Sequence, residues 1–174
     1  MVGFERAVEE HQRSVFTFAR YLLGSRQAAE DVTQEALLRM WRHWETLDVD
    51  RLGPWLLQVT RNLCYDSLRR LRSRRRWVVD DTDDEAVDRV PAADRDPEER
   101  AHANALRARV VAAMADLREP YRSAVVLREI EGLTYREIAE VLDTPLNSVK
   151  VHVHRGRRML RELLDGRSID VASA

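Results

Sequence analysis

Two residue types are almost missing from this sequence. Among 174 residues there is one cysteine, Cys64, and one lysine, Lys150. A lone cysteine closes no internal disulfide and offers no zinc-ligand set. No run of eighteen or more apolar residues occurs, which excludes a long membrane span. The opening MVGFERAVEEHQ is charged from the start and has no apolar signal-peptide core. These absences predict a reduced, soluble, cytoplasmic protein without membrane insertion. The length suits one medium domain or two small ones. Hydrophobic content of 44% is ordinary for a globular chain, but 34% charged is high.

The net charge of −1 hides an uneven distribution. Residues 1–79 carry 14 basic and 10 acidic side chains, residues 80–99 carry 2 and 10, and residues 100–174 carry 13 and 10. The acidic centre, DDTDDEAVDRVPAADR (Asp80 to Arg95), has no aromatic residue and no helical apolar stripe. Such a stretch cannot bury enough apolar surface to offset its ordering entropy. It predicts a flexible linker over 80–96, either simply solvated or an acidic mimic of nucleic acid over a basic groove. Domains at 1–79 and 97–167 flank it. A tail at 168–174 ends in small residues, either as an unstructured end or as a signal for a protease that recognises small apolar termini.

Helical periodicity fills the N-terminal domain. Phe4, Ala7, Val8, Val15, Phe18, Ala19 and Leu22 recur at threes and fours, and Gly24 ends that helix. Ser25 can cap a second helix with Ala29, Val32, Ala36 and Met40 as its stripe, joined by Leu37 and Trp44. Asp31, Gln34, Glu35 and Leu38 stand on a neighbouring face. Pro54 suits the first turn of a third helix, whose core side would be Leu56, Val59, Leu63 and Leu68. Arg61, Arg69, Arg70, Arg72 and Arg74 to Arg76 would face solvent or a polyanion. In RRLRSRRR, six like charges within eight residues repel one another. A phosphate backbone would neutralise them with counterion release, whereas a solvated helix end, favoured by the helix dipole, is the plainer reading. Trp55 and Asn62 share a face of this helix. An aromatic ring and an amide beside a basic strip suit unstacked bases; a buried tryptophan with a surface asparagine is the alternative. Cys64, in an amphipathic helix without an obvious paired base, reads as packing rather than as a nucleophile.

The C-terminal domain opens on Asp96-Pro97-Glu98-Glu99, a cap and first-turn arrangement. The helix behind it carries the stripe Ala105, Leu106, Val110, Ala113 and Leu117. Pro120 opens the next helix and Gly132 closes it. Thr134 and Glu137 then make a capping box for the short helix YREIAEVL, broken by Asp143-Thr144-Pro145. A longer basic helix, LNSVKVHVHRGRRMLRELL, follows. A short helix, a tight turn and a longer basic helix make a helix-turn-helix. Ile138, Ala139 and Leu142 would brace it. Val149, Val153 and Leu160, with Met159 beside them, would face inward. Asn147, Lys150, Val151, His154, Arg155 and Arg158 fall largely on the opposite side, where lysine and arginine can pair with guanine and a valine can touch a thymine methyl. Arg157, Arg158 and Arg161 suit phosphates. Asn147 and Ser148 lie where helix N-terminal N–H groups attract phosphate. His152 and His154 point about 200° apart on a helix and cannot chelate one ion.

Taken together, the chain resembles an extracytoplasmic-function (ECF) sigma factor, a compact member of the sigma-70 family of bacterial transcription initiation factors. AEDVTQEALLRMW, Ala29 to Trp41, resembles region 2.2; WLLQVTRNLCYDSLRR, Trp55 to Arg70, resembles regions 2.3 and 2.4; LREIEGLTYREIAEVLDTPLNSVKVHVHRGRRML, Leu127 to Leu160, resembles region 4. The region 1.1 and domain 3 of larger members have no counterpart in this sequence. The resemblance implies an all-α protein of two small helical domains, region 2 and region 4, joined by the linker. It implies no enzyme activity, no cofactor, no catalytic residues and no metal. The implied partners are core RNA polymerase, through its β′ clamp helices and β flap, promoter DNA and, in many members, an anti-sigma factor. The location would be the cytoplasm, with nucleoid association when bound to polymerase.

The same resemblance assigns residues. Asp31, Gln34, Glu35 and Leu38 would meet core polymerase. Trp55, Arg61, Asn62, Arg69 and Arg70 would serve the −10 element, with Asn62 holding a base flipped out of the strand. Asn147, Ser148, Lys150, Val151, His154, Arg155 and Arg158 would serve the −35 element. Members of the family often have Gly-Thr where this chain has Asn147-Ser148. A plain helix-turn-helix repressor is the rival reading, but it leaves Asp31, Gln34, Glu35 and the N-terminal domain without a purpose.

Overall fold

The computed structural model describes residues 2–75 and 97–166. Within them the chain is all-α: α1 (Val2–Leu23), α2 (Arg26–His43), α3 (Leu52–Arg75), α4 (Pro97–Asp116), α5 (Tyr121–Val125), α6 (Tyr135–Leu142) and α7 (Leu146–Leu164). Short 3-10 turns at Trp44–Thr46 and Val49–Arg51 lead into α3. The expected linker and tail, and the Asp96 cap, lie outside the described residues.

Helices α1, α2 and α3 form one bundle. Gly24, at φ 73°, ends α1, and the Ser25 side chain accepts the Ala28 N–H at 3.3 Å to start α2. The stripes anticipated on α1 and α2 are buried: Ala7, Val15, Phe18, Ala19 and Leu22 against Ala29, Val32, Ala36 and Met40. Helix α3 starts at Leu52, so Pro54 sits in its first turn, where no intrahelical donor is lost. Leu52 and Leu56 close the core below.

The second bundle wraps α4, α6 and α7 around α5. Ser123, Ala124, Val125, Val126 and Leu127 are all buried, as a helix enclosed on every side requires. Past Val125 the helix widens into a π turn, Val126–Ile130, in which the Glu131 N–H reaches back to the Val126 carbonyl at 3.1 Å. Thr134 and Glu137 form the expected capping box. Asp143, at φ 48°, makes the left-handed residue that turns the chain before Pro145. Pro145 itself stands just before α7, in extended backbone and without a capping hydrogen bond.

One expectation changes. The stripe on α4 is rotated: Ala105 is exposed and Leu106 is 60% exposed, while Val111, Ala113, Met114 and Leu117 are buried. The packing partner, rather than the helix's own pattern, sets its face. The two bundles pack against each other. One apolar cluster runs from Phe18, Leu22, Leu57 and Cys64 of the first bundle into Met114, Leu117, Val126 and Ile138 of the second. Helix α3 therefore has two buried sides, with Leu52 and Leu56 on one and Leu57 and Cys64 on the other.

Candidate nucleic-acid and polymerase interface

The α2 face predicted to meet a protein partner is open. Asp31, Gln34 and Leu38 are exposed, and Leu38 keeps 46% of its surface. Glu35 is half-buried and pairs with Arg39 at 3.0 Å. Trp41, one further step of three along the same face, is 63% exposed. Sequence reasoning did not single out this tryptophan, although its spacing from Leu38 was the available signal. An exposed leucine and tryptophan among carboxylates have the composition of a protein-docking face.

On α3 the structure divides the predicted −10 residues. Asn62, Arg69 and Arg70 are exposed, and the Asn62 side chain makes no hydrogen bond among the described residues. Arg69 holds Asp66 at 2.7 Å while its side chain stays 82% exposed. Trp55 is half-buried, edge-on to His43 with ring centroids 6.4 Å apart. Arg61 turns away from Asn62. Its Nε donates to the Tyr65 hydroxyl at 3.2 Å, and its guanidinium lies 4.8 Å from the Tyr65 ring centre. Of the arginine run, Arg72, Arg74 and Arg75 lie on a described helix without described side chains, and Arg76 lies outside the described residues. Cys64 is fully buried, and burial together with the Glu119 charge pushes its thiol up to about 12. That keeps it a thiol, a packing group rather than a nucleophile.

On α7 the predicted face stands clear of the bundle. Asn147, Lys150, Val151, His154, Arg155 and Arg158 are all exposed, and Val151 keeps 45% of its surface. Ser148 is half-buried. Lys150 and Arg155 have no ion partner among the described residues, so their charge is available. Arg157 differs from expectation: it is tied to Glu129 at the end of the π turn, at 2.8 Å, and is not free for a phosphate. Arg158 faces Glu162 loosely, at 3.8 Å. Val149 and Val153 point inward. His152 does too, edge-on to Tyr121 at 5.8 Å, while His154 points out, so the two histidines do diverge. Gly156 was missed altogether. It lies against Val125, and its backbone approach lets α7 sit on α5.

The chain thus presents an acidic and apolar face on α2, a basic and amide face on α3, and a basic helix-turn-helix face on α7. The sigma-70 region 2 family matches residues 7–75, and the sigma-70 region 4 family matches residues 107–160. The ECF RNA polymerase sigma factor SigL of Mycobacterium tuberculosis is 31% identical over 88% of this chain and 84% of its own length. The chain belongs to the ECF sigma factors of the sigma-70 family. The SigE sigma factor of Mycolicibacterium smegmatis is 37% identical over the whole of this chain, which spans 66% of SigE. Among solved structures, the sigma factor RpoE of Bartonella quintana, in complex with the anti-sigma factor NepR, matches with TM-score 0.74 at 23% identity, covering 98% of this chain and 99% of RpoE. That likeness establishes a shared fold. Region 2 of this sigma factor is the bundle α1–α3, and region 4 is the bundle α4–α7. Among the described residues, no helix is long and apolar enough to cross a membrane.

Proposed function

We propose that this sigma factor binds core RNA polymerase, directs it to promoters by reading −35 and −10 elements, and promotes opening of the DNA there. The observation that carries this reading is the coexistence, on one chain, of an exposed protein-docking face and two exposed nucleic-acid faces. Asp31, Gln34, Glu35 and Leu38 contact core polymerase, with Trp41 extending their face. Lys150, Val151, His154 and Arg155 read base edges in the major groove, while Asn147, Ser148 and Arg158 hold phosphates. Asn62 and Trp55 take a base extruded from the −10 strand, with Arg69 and Arg70 on the backbone and Arg61 joining them.

The mechanism is binding alone, with no bond made or broken by this chain. Each domain offers a small DNA contact, weak by itself. Docking on core fixes both at the promoter spacing, so the second contact becomes intramolecular. Capture of an extruded base offsets part of the cost of unpairing and biases the duplex towards opening. As RpoE is held by NepR, an anti-sigma factor is a further expected partner.

The test is reconstitution with sigma-free core polymerase and fragmented genomic DNA, mapping transcript starts. Discrete starts sharing two upstream elements support the reading. Absence of both starts and co-elution with core overturns it.

A further inference from the structure

Of the exposed positions on α7, Val151 alone is hydrophobic, and it keeps 45% of its surface. Neither ordinary reason for a valine applies to it. It is not buried, and a β-branched side chain is a weaker helix former than the alanine, lysine or arginine that would serve an open face. Its surroundings also exclude a protein-docking patch. Such a patch gathers apolar and aromatic groups around a centre depleted of charge, whereas Val151 stands among cations and an amide.

Its place on the helix is specific. At about 100° per residue, Asn147, His154, Arg155 and Arg158 lie within about 60° of Val151 around the axis, and the buried Val149, Val153 and Gly156 lie at least about 140° away. Val151 therefore projects from the crest of the outward face, in the second turn of α7. That is the part of a recognition helix that reaches base edges. The crest is braced from behind, because Gly156 lies against Val125 and the Tyr121 backbone. Val151 is also short and stiff, with one restricted side-chain torsion. Lys150 and the arginines can reach for several partners; this valine meets only what lies directly in front of it.

We propose that Val151 is a specificity residue for the −35 element, packing on the C5-methyl group of one thymine and so demanding an A·T pair, in one orientation, at one position. The inference rests on the reading of α7 proposed above and adds what a single residue of it selects. In the major groove, the thymine methyl is the one apolar group that the edges of unmodified base pairs present. Against it, Val151 withdraws apolar surface from water on both partners. Against a cytosine at the same place, it would cover the N4 amino group and offer nothing to accept its hydrogen. What is selected is the methyl rather than the base, so 5-methylcytosine, which carries its methyl at the same groove position, should recover part of the contact.

The test uses holoenzyme made with the full-length chain and a promoter fragment recovered by mapping transcript starts. Each thymine of the −35 element, on either strand, is replaced singly by deoxyuridine, which keeps the base pair and loses only the methyl. The expected result is one position at which affinity falls about fourfold, the worth of one buried methyl. In Val151→Ala, whose side chain stops short of the base, the loss at that position should shrink below about twofold, while the variant melts with the parent. There, too, 5-methylcytosine should bind about fourfold better than cytosine, and again only with the valine in place. An element in which no uracil substitution weakens binding, or in which Val151→Ala retains every such loss in full, overturns the assignment. Scrambling the whole −35 element separates the two levels. A holoenzyme indifferent to scrambling refutes the −35 reading, and this inference with it. One that responds to scrambling but to no methyl refutes the valine contact alone.

Discussion

Gly156 of α7 lies directly against Val125 of α5, with the Tyr121 carbonyl 3.1 Å from where a β-carbon would stand. The recognition helix is held in place by a missing side chain. Gly156→Ala forces the Val125 side chain to move or α7 to lift. Overpacking of this kind costs roughly 1–3 kcal/mol, only partly offset by alanine's better helix propensity. The expected outcome is a lower denaturant midpoint with region 2 still folded, read by tryptophan fluorescence, since all four tryptophans lie in the first 77 residues. An alanine variant as stable as the parent would show that α7 tolerates displacement.

The capping box is a second separable contribution. Thr134 accepts the Glu137 N–H at 3.3 Å, and the Glu137 carboxylate accepts the Thr134 N–H at 2.7 Å. These bonds hold the Glu137 carboxyl below its usual range. Its contribution is therefore complete above the ordinary glutamate value of about 4.3 and is lost as pH falls through the lowered one. Thr134→Ala should cost about 1 kcal/mol, as loss of a helix cap does. Glu137→Gln should flatten the acid limb of the stability curve, measured by denaturation between neutral pH and the acid transition.

His152 has the opposite charge type and a similar direction with pH. Burial first, and the nearby Arg155 charge second, push its imidazolium below the ordinary histidine range, and its Nδ1 is buried without a partner. The folded state thus binds fewer protons at this site than the unfolded one. Stability is full above the ordinary value of about 6.5 and falls as pH drops towards the lowered one. His152→Phe keeps a ring against Tyr121 and removes the titration. The slope of stability between about pH 7 and 5.5 should shrink in that variant; an unchanged slope would place the titration elsewhere.

Much of this architecture was legible in the sequence, for physical reasons that also mark where legibility stopped. Caps, glycine stops and the Asp143 turn are local, and local chemistry placed Ser25, Gly24, Thr134 and Glu137 correctly. The periodicities of α1 and α2 each bury one continuous stripe and read cleanly. Helix α4 did not: Leu106 extends its pattern in the sequence, yet Met114 faces the core. Helix α3 packs on two sides, so its second strip, Leu57 and Cys64, was hidden behind the first. Arg157 and Arg61 looked like free cations because their partners, Glu129 and Tyr65, are set by tertiary packing and by a neighbour four residues on. The outward residues Asn147, Lys150, Val151, His154, Arg155 and Arg158 of α7, by contrast, are exposed among the described residues, and a helical wheel was enough.

The recognition face provides a separate test of the DNA assignment. Lys150 and Arg155 are exposed and without ion partners among the described residues, so replacing them should leave the fold intact. Each alanine variant should weaken −35 readout by roughly 1–3 kcal/mol if the side chain pairs with a base. If it holds only a phosphate, the loss should be uniform across sequences and the salt slope should fall by about one. Salt-dependent gel shifts of holoenzyme on matched and mismatched promoter fragments separate the two, with co-elution with core unchanged in both.

Asn62 carries the sharpest prediction on region 2. It is exposed, its side chain has no hydrogen-bond partner among the described residues, and it shares a helix face with Trp55 and Arg69. An amide that fills no structural role can be truncated without loss of stability, so Asn62→Ala should melt with the parent chain. If Asn62 receives an extruded base, the variant should bind core polymerase and closed promoter normally, yet open the duplex more slowly, by roughly ten- to a hundredfold for one lost set of base contacts. A pre-melted promoter, in which the −10 base pairs are mismatched, removes the unpairing cost and should recover only the part of the defect that lies in opening. Equal loss of core binding and opening would sink the assignment. A variant that opens linear promoter as fast as the parent would move base capture to another residue of the same face, with Trp55 the next to replace.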